Sequence, residues 1–310
     1  FKSNMDNSTE TYIRRASHAG SWYTDDAEEL NNELDKNLAD AEYTLPEEDS
    51  KIRALIGPHA GFRYSGLTAA WAYKNVNNTE KVKRVFLLGV AHKTRVEGAA
   101  LSMASELETP LGNIIVDREV TEDLATKENF SYYSQIADEK EHSLEMHLPY
   151  IYKIFNKDII IVPVVIGSVT FDKHQAIATE LAEYFKDEQN FFVISSDFCH
   201  WGINFSYMPY DAQECKAAGI ADPTVNQYIE LLDMQGVRLV EKQSGSDFQE
   251  YLKRTKNTIC GRNPITVLLE IIKASGLKTV TKNVKYNQSG LIENKRSSSV
   301  SYASFYTILE

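Results

Sequence analysis

Positive charge is what this 310-residue chain most lacks: 33 Lys and Arg stand against 44 Asp and Glu, a formal net charge of −11. Affinity for nucleic acid rests on clustered Lys and Arg against phosphate, so no nucleic-acid partner is expected. Long hydrophobic runs are missing too. The longest, Ile159 to Gly167, falls far short of the roughly 20 apolar residues a helix needs to cross a bilayer, so no membrane insertion is expected. No basic start followed by an apolar stretch opens the chain, and it reads as having no secretory signal. Cysteine is scarce. Cys199, Cys215 and Cys260 form an odd, sparse set, which suits a reducing cytosol better than a disulfide scaffold. A cytoplasmic protein is expected. No repeat, low-complexity tract or Pro/Gly linker divides the chain. Residues 13–309 therefore read as one domain, and residues 1–12 as a tag remnant or flexible lead.

What the chain does have is apolar runs that stop at histidines. Ile52 to Pro58 ends at His59, and Arg84 to Ala91 ends at His92. Phe191 to Ser196 ends at Asp197, with His200 three residues on. Continuous β-branched and apolar runs fit strands buried on both faces, as in a parallel α/β sheet. Ligands of such sheets bind in the crevice at the carboxyl ends of the strands, so these side chains are expected to gather there. Helical spacing over Asp25–Ala41, Ser65–Lys74, Phe171–Phe185 and Pro264–Ala274, with further strands at Ile159–Ile166 and Val300–Leu309, gives the alternation of βα units. Asn263 is a candidate N-cap for the helix at Pro264.

Each motif has a bland alternative. His59, in the small-residue loop Pro58-His59-Ala60-Gly61, and His92, in Gly89-Val90-Ala91-His92-Lys93, would singly pass for histidines bonded to a loop carbonyl. Two at equivalent strand ends favour a site. Asp197 after its strand would serve as an N-cap or as a proton acceptor, and His200 as base, acid or ligand. Cys260 precedes a helix and has Arg262 nearby; both would favour thiolate, against the alternative of a small buried hydrophobe. Cys199 reads as structural. His142 and His147, five apart, are separated by roughly 140° around a helix and fail the zincin pattern. His142 and Glu145, three apart, would share a face and support the crevice, while His147 reads as structural. His174 sits among exposed helix charges and is given no role. Trp22 would line the mouth of the site. No G-x-S-x-G elbow is present, which leaves a serine triad without support.

The blocks Ser17-His18-Ala19-Gly20-Ser21-Trp22-Tyr23, Pro58-His59-Ala60-Gly61, Glu141 to Pro149, Ser195 to Gly202 and Asn257 to Arg262 resemble the Memo family, in order and from about Ala16 to Ser304. The resemblance implies a fold similar to class III extradiol dioxygenases: an α/β domain with a mostly parallel central sheet between helical layers. It implies a copper or iron site at His59, His92 and Cys260, with Asp197 and His200 beside it. It also implies links to intracellular redox, cell motility and cytoskeletal signalling, and to phosphotyrosine-containing peptides. One position departs from the family: the frequent Gly-Pro-Ser-His-His is here Gly89-Val90-Ala91-His92-Lys93. Two imidazoles and a thiolate suit copper or iron, with zinc also compatible, and not magnesium or calcium. The leading expectation is a metal-binding redox protein. A rival is a phosphotyrosine-peptide or signalling-protein adaptor using Lys93, Arg262 and Trp22. A third is a metal-dependent hydrolase with Asp197 as base.

Overall fold

The apolar runs become the middle of a twelve-stranded mixed sheet in the computed structural model, which describes residues 11–310. Strands Ile160–Ile166, Arg84–Val90, Asn190–Ser195 and Ile52–Gly57 lie side by side and parallel. Every residue of the last two is buried, as expected of strands covered on both faces. Leu88 pairs with Ile194 and Gly57 with Ser195. The register therefore delivers the chain to His59, His92 and Asp197 at one end of the sheet. Strand Ser299–Leu309 runs antiparallel along Ile52–Gly57, and also pairs with Thr279–Gln288 and with the short strand His200–Trp201. At the opposite edge Ile114–Val116, Ala104–Leu107 and Tyr12–Arg14 extend the sheet.

Alternation along the strands divides the core in two. Val85, Leu87, Phe191 and Val193 face one layer with Leu30, Leu34, Ala69 and Tyr150, from helices Ala27–Asp40, Phe62–Tyr73 and Leu148–Ile154. Phe86, Leu88, Phe192 and Ile194 face the other with Ile177, Leu181, Leu232 and Leu268. That layer is built from helices Phe171–Lys186, Val225–Glu241, Gly245–Thr255 and Arg262–Ser275. A single α/β domain with a mostly parallel central sheet between helical layers results. Among the described residues no helix is long and apolar enough to cross a membrane.

The structure corrects the reading of two residues. Asn263 is not an N-cap, because the helix starts at Arg262 with Gly261 in the cap position and so holds Asn263 inside its first turn. A Cβ on Gly261 would lie 2.1 Å from the Ser196 Cβ, so only glycine permits the close approach of this loop to the strand end. His174 is not exposed but 2% accessible, with Nε2 3.1 Å from the Gly167 carbonyl. It closes the turn that precedes its own helix.

Candidate functional site

His59 sits at the centre of the crevice, 1% exposed. Its Nδ1 lies 2.7 Å from Ser195 Oγ, which in turn reaches the Ser143 carbonyl at 2.7 Å. A hydroxyl has one proton, and the carbonyl can only accept it, so His59 Nδ1 must be the donor to Ser195. Nε2 is left with its lone pair facing the crevice. Burial, reinforced by the neighbouring imidazoles, holds the His59 pKa well below its ordinary value. The ring stays neutral, with an unprotonated Nε2.

On one side of His59 stands a set of imidazoles. The His92 ring is 5.0 Å away and the His142 ring 5.3 Å, centroid to centroid. The Glu141 carboxylate accepts from the His92 backbone N–H at 2.7 Å and lies 2.9 Å from its Nδ1. A carboxylate holding Nδ1 leaves Nε2 as the free donor atom, the arrangement typical of metal-ligating histidines. Burial alone would raise the Glu141 carboxyl, but the hydrogen bonds and charge of His92 outweigh it and bring it down to about 2. His142 is clamped between Trp22 at 4.3 Å and His92 at 4.1 Å, both nearly parallel to it. Burial, with the His92 charge adding to it, lowers the His142 pKa to about 3. Gly89 makes this packing fit, since a Cβ there would lie 2.6 Å from Leu144. Lys93 points into solvent.

On the other side stand a carboxylate and a thiol. Asp197 accepts the His59 backbone N–H at 2.8 Å, and its second oxygen is 3.7 Å from His59 Nε2. Cys260 Sγ lies 3.2 Å from the same nitrogen and accepts the Asp197 backbone N–H at 3.3 Å. Bonds of about 2.1 Å to nitrogen or oxygen and 2.3 Å to sulfur at a tetrahedral centre require donor spacings of roughly 3.4–3.6 Å, so this donor set fits a small ion. The expected thiolate activation is not found in this state. The Arg262 guanidinium is engaged with the Ile259 and Asn257 carbonyls. Burial, and then the Asp197 charge, push the Cys260 thiol well above its ordinary value. The local features that favour thiolate are outweighed by where the loop packs. His200 Nδ1 is within 2.9 Å of the Phe198 and Thr258 carbonyls. Two acceptors fix the proton on Nδ1, so Nε2 is free to accept.

The expected residues thus divide between two groups joined by His59. Donor atoms of His59, His92 and His142 lie within 4.8 Å of one another, and so do those of His59, Asp197 and Cys260. His92 and Cys260 share no such group. Glu145, expected to support the crevice, lies buried beneath its imidazole side and holds His18 Nδ1 at 3.0 Å. It takes Arg14 at 2.7 Å, the His18 backbone N–H at 2.8 Å and the Tyr23 hydroxyl at 2.9 Å. His147 bonds Tyr73 and the Gly57 carbonyl and serves packing.

Several working residues went unassigned in the sequence. His18 meets Trp22 edge-on at 5.7 Å and binds Glu145 through Nδ1. Arg14, 1% exposed, pairs with both Asp138 and Glu145 and caps the Asp138 and Glu141 carbonyls. Glu141 and Ser195 fix the ring nitrogens of His92 and His59. On the far side the buried Asp233 accepts from Asn257, Tyr286 and the Cys199 backbone. It thereby ties the loop before Cys260 to the segment before His200. A groove of about 640 Å³ adjoins Trp22 and is lined also by Asp25, Glu29, Arg63 and Tyr64.

Fold and site together define an α/β protein with a histidine-rich crevice at the carboxyl ends of its parallel strands. Comparison with known proteins makes the class specific. The family described as Memo-like protein matches residues 14–306. The Caenorhabditis elegans protein memo-1 homolog is 40% identical over 298 residues, covering 94% of this chain and 82% of its own. Human protein MEMO1 is 38% identical over 302 residues, covering 96% and 97%. Zebrafish (Danio rerio) protein MEMO1 is 40% identical over 296 residues, covering 94% and 95%. The chain belongs to the Memo-like family. Among solved structures, an uncharacterized Escherichia coli K12 protein aligns at 13% identity with a TM-score of 0.40, over 81% of this chain and 99% of its own.

Proposed function

We propose that the crevice is a metal site in a redox-active Memo-like protein, with copper or iron held at His59 by Cys260 on one side and by His92, which must draw in to share the ion with the thiol, on the other, and protons handled by Asp197 and His200. The observation that carries this reading is His59 Nε2. It is stripped of its proton by the Ser195–Ser143 chain and lies 3.2 Å from the Cys260 sulfur. Imidazole and thiol donors together select copper, iron or zinc over hard cations. Such an ion supplies one-electron chemistry when bound, if it is copper or iron. The chain's own residues orient and protect it. Glu141 and Ser195 aim the two imidazoles. Cys260 gives up its proton only when an ion offsets the burial that otherwise keeps it protonated. Asp197, itself raised by burial, takes and returns protons beside His59, and His200 Nε2 offers a second acceptor.

Metal analysis after mild purification tests the reading. The wild-type chain should retain copper or iron, and the combined His59→Ala, His92→Ala, Cys260→Ser variant should lose it. Equal uptake by both would refute the proposal.

The motility and signalling links implied by family resemblance fit a second reading, in which the chain docks a phosphotyrosine peptide. The groove beside Trp22 and Tyr64 supports it. Its Asp25 and Glu29, and the engagement of Arg262 with backbone carbonyls, count against an anion. Calorimetry with phosphorylated and unphosphorylated tyrosine peptides separates the readings, and phosphate-independent heats would remove this one.

A further inference from the structure

Among the described residues, His142 is the imidazole of the crevice that no hydrogen bond holds. Neither ring nitrogen has a partner among the described residues, and the nearest carboxylate oxygen, of Glu141, is 3.9 Å from Nδ1. His59, His92 and His200 by contrast each commit Nδ1 to a fixed partner. Yet the ring is not loose. Trp22 and His92 hold it in a three-layer stack, and His18 closes one side at 6.0 Å. Such a ring, with unengaged nitrogens beside the open Nε2 of His92 and the Nε2 lone pair of His59, which the Cys260 thiol reaches at 3.2 Å, is placed as a donor.

We propose that His142 is a metal ligand. With His59 and His92 it forms a trihistidine position that overlaps, through His59, the thiol–carboxylate position of Asp197 and Cys260. The inference rests on the reading that the crevice binds metal, and it divides that crevice by ion type. A borderline divalent ion such as Zn(II) is satisfied by three neutral imidazoles, whereas a soft monovalent ion such as Cu(I) favours the side with sulfur. The donor atoms of the trihistidine set, within 4.8 Å of one another, must close by up to about 1.4 Å to reach the roughly 3.4 Å spacing of a tetrahedral site. The Glu141 oxygen that holds His92 Nδ1 at 2.9 Å stands 3.9 Å from His142 Nδ1. One carboxylate thus borders both outer imidazoles, as second-layer carboxylates do in metal sites.

Zn(II) titration against a chromophoric chelator decides the matter, using the full chain and its His142→Phe, Cys260→Ser and His59→Ala variants. Phenylalanine keeps a flat ring between Trp22 and His92 but offers no lone pair. Loss of a ligand should cost His142→Phe at least about tenfold in Zn(II) affinity, on the scale of what even a supporting group contributes. Cys260→Ser should keep Zn(II) affinity within about threefold, since the thiol is not in this set. X-ray absorption of the zinc-loaded wild-type chain should show a nitrogen and oxygen shell without sulfur at about 2.3 Å, a readout that needs no variant to fold. A sulfur shell, or unchanged affinity in His142→Phe, overturns the inference and leaves the metal reading standing. Failure of the wild-type chain to bind Zn(II), or Zn(II) binding unaltered by His59→Ala, overturns the inference; absence of copper and iron from the purified wild-type chain together with failure to bind Zn(II) overturns both.

Discussion

The two sides of the crevice are each braced by a buried carboxylate, and the two are buried in opposite ways. Glu145, under the imidazole side, has the Arg14 guanidinium at 2.7 Å together with His18 and Tyr23. Burial would raise its carboxyl, but His18 and Arg14 overcome that and set it below its ordinary value. Asp233, behind the thiol side, has only neutral donors: Asn257, Tyr286 and a backbone N–H. Burial wins there and lifts it to about 6. A hydrogen bond from a neutral group does not replace a cation when a charge leaves water. Acid and alkali therefore act on the two sides in opposite directions.

Breaking the charged side should cost most. Arg14→Met leaves Asp138 and Glu145 buried without their cation, and denaturant unfolding at pH 7 should show a loss of about 3–5 kcal/mol. A loss below 1 kcal/mol, on the order of a surface pair, would mean that the network is not what holds the His18 loop. Next is the pH profile of the wild-type chain. Glu145 has a lowered folded pKa, so its stabilisation is present above the ordinary value of 4.5 and is lost as pH falls below it. Asp233 has a raised folded pKa, so its contribution is whole below 3.8 and is lost as pH rises through about 6. The Asp233→Asn variant should abolish the second decline, and a slope between those values that matches wild type would contradict the assignment. At pH 7 the same variant should shift stability by no more than about 1.5 kcal/mol, because the amide oxygen still accepts from Cys199 and Asn257 without the charge. Tyr286→Phe sharpens the contrast. It removes a donor to Asp233, and should cost about 1 kcal/mol at pH 7 and less at pH 4.5, where the carboxyl is protonated.

What could be read from the sequence followed from local pattern. The parallel strands were visible because both of their faces are apolar, and their ends located His59, His92 and Asp197. Trp22 and His142 were found as members of dense polar and aromatic blocks. Arg14, Glu141 and Asp233 were not. Arg14 lies in a three-residue edge strand, and Asp233 looks like any polar position of the amphipathic helix Val225–Glu241. Their roles arise only when separate segments meet: Arg14 reaches Asp138 and Glu145, 124 and 131 residues on, Glu141 reaches His92, 49 back, and Asp233 reaches Tyr286, 53 on. His18 stood in a quoted motif, but nothing in the chain near it announces Glu145 as its partner. Cys260 shows the converse failure. Its helix and its arginine are real local features, yet burial against Asp197 governs the thiol.

Strand Ser299–Leu309 has a consequence for how the chain is made. It covers the outer edge of Ile52–Gly57, whose six residues are all buried in the finished sheet. On the ribosome that partner arrives some 240 residues later. At about 5–20 residues per second the edge waits tens of seconds uncovered. An apolar, unpaired strand edge is a template for pairing with other chains. The first half of this protein must therefore be shielded, by chaperones or by its own helices, until its last strand is synthesised. Variants that slow that last step should fail by aggregating in the cell before any loss of equilibrium stability can be measured.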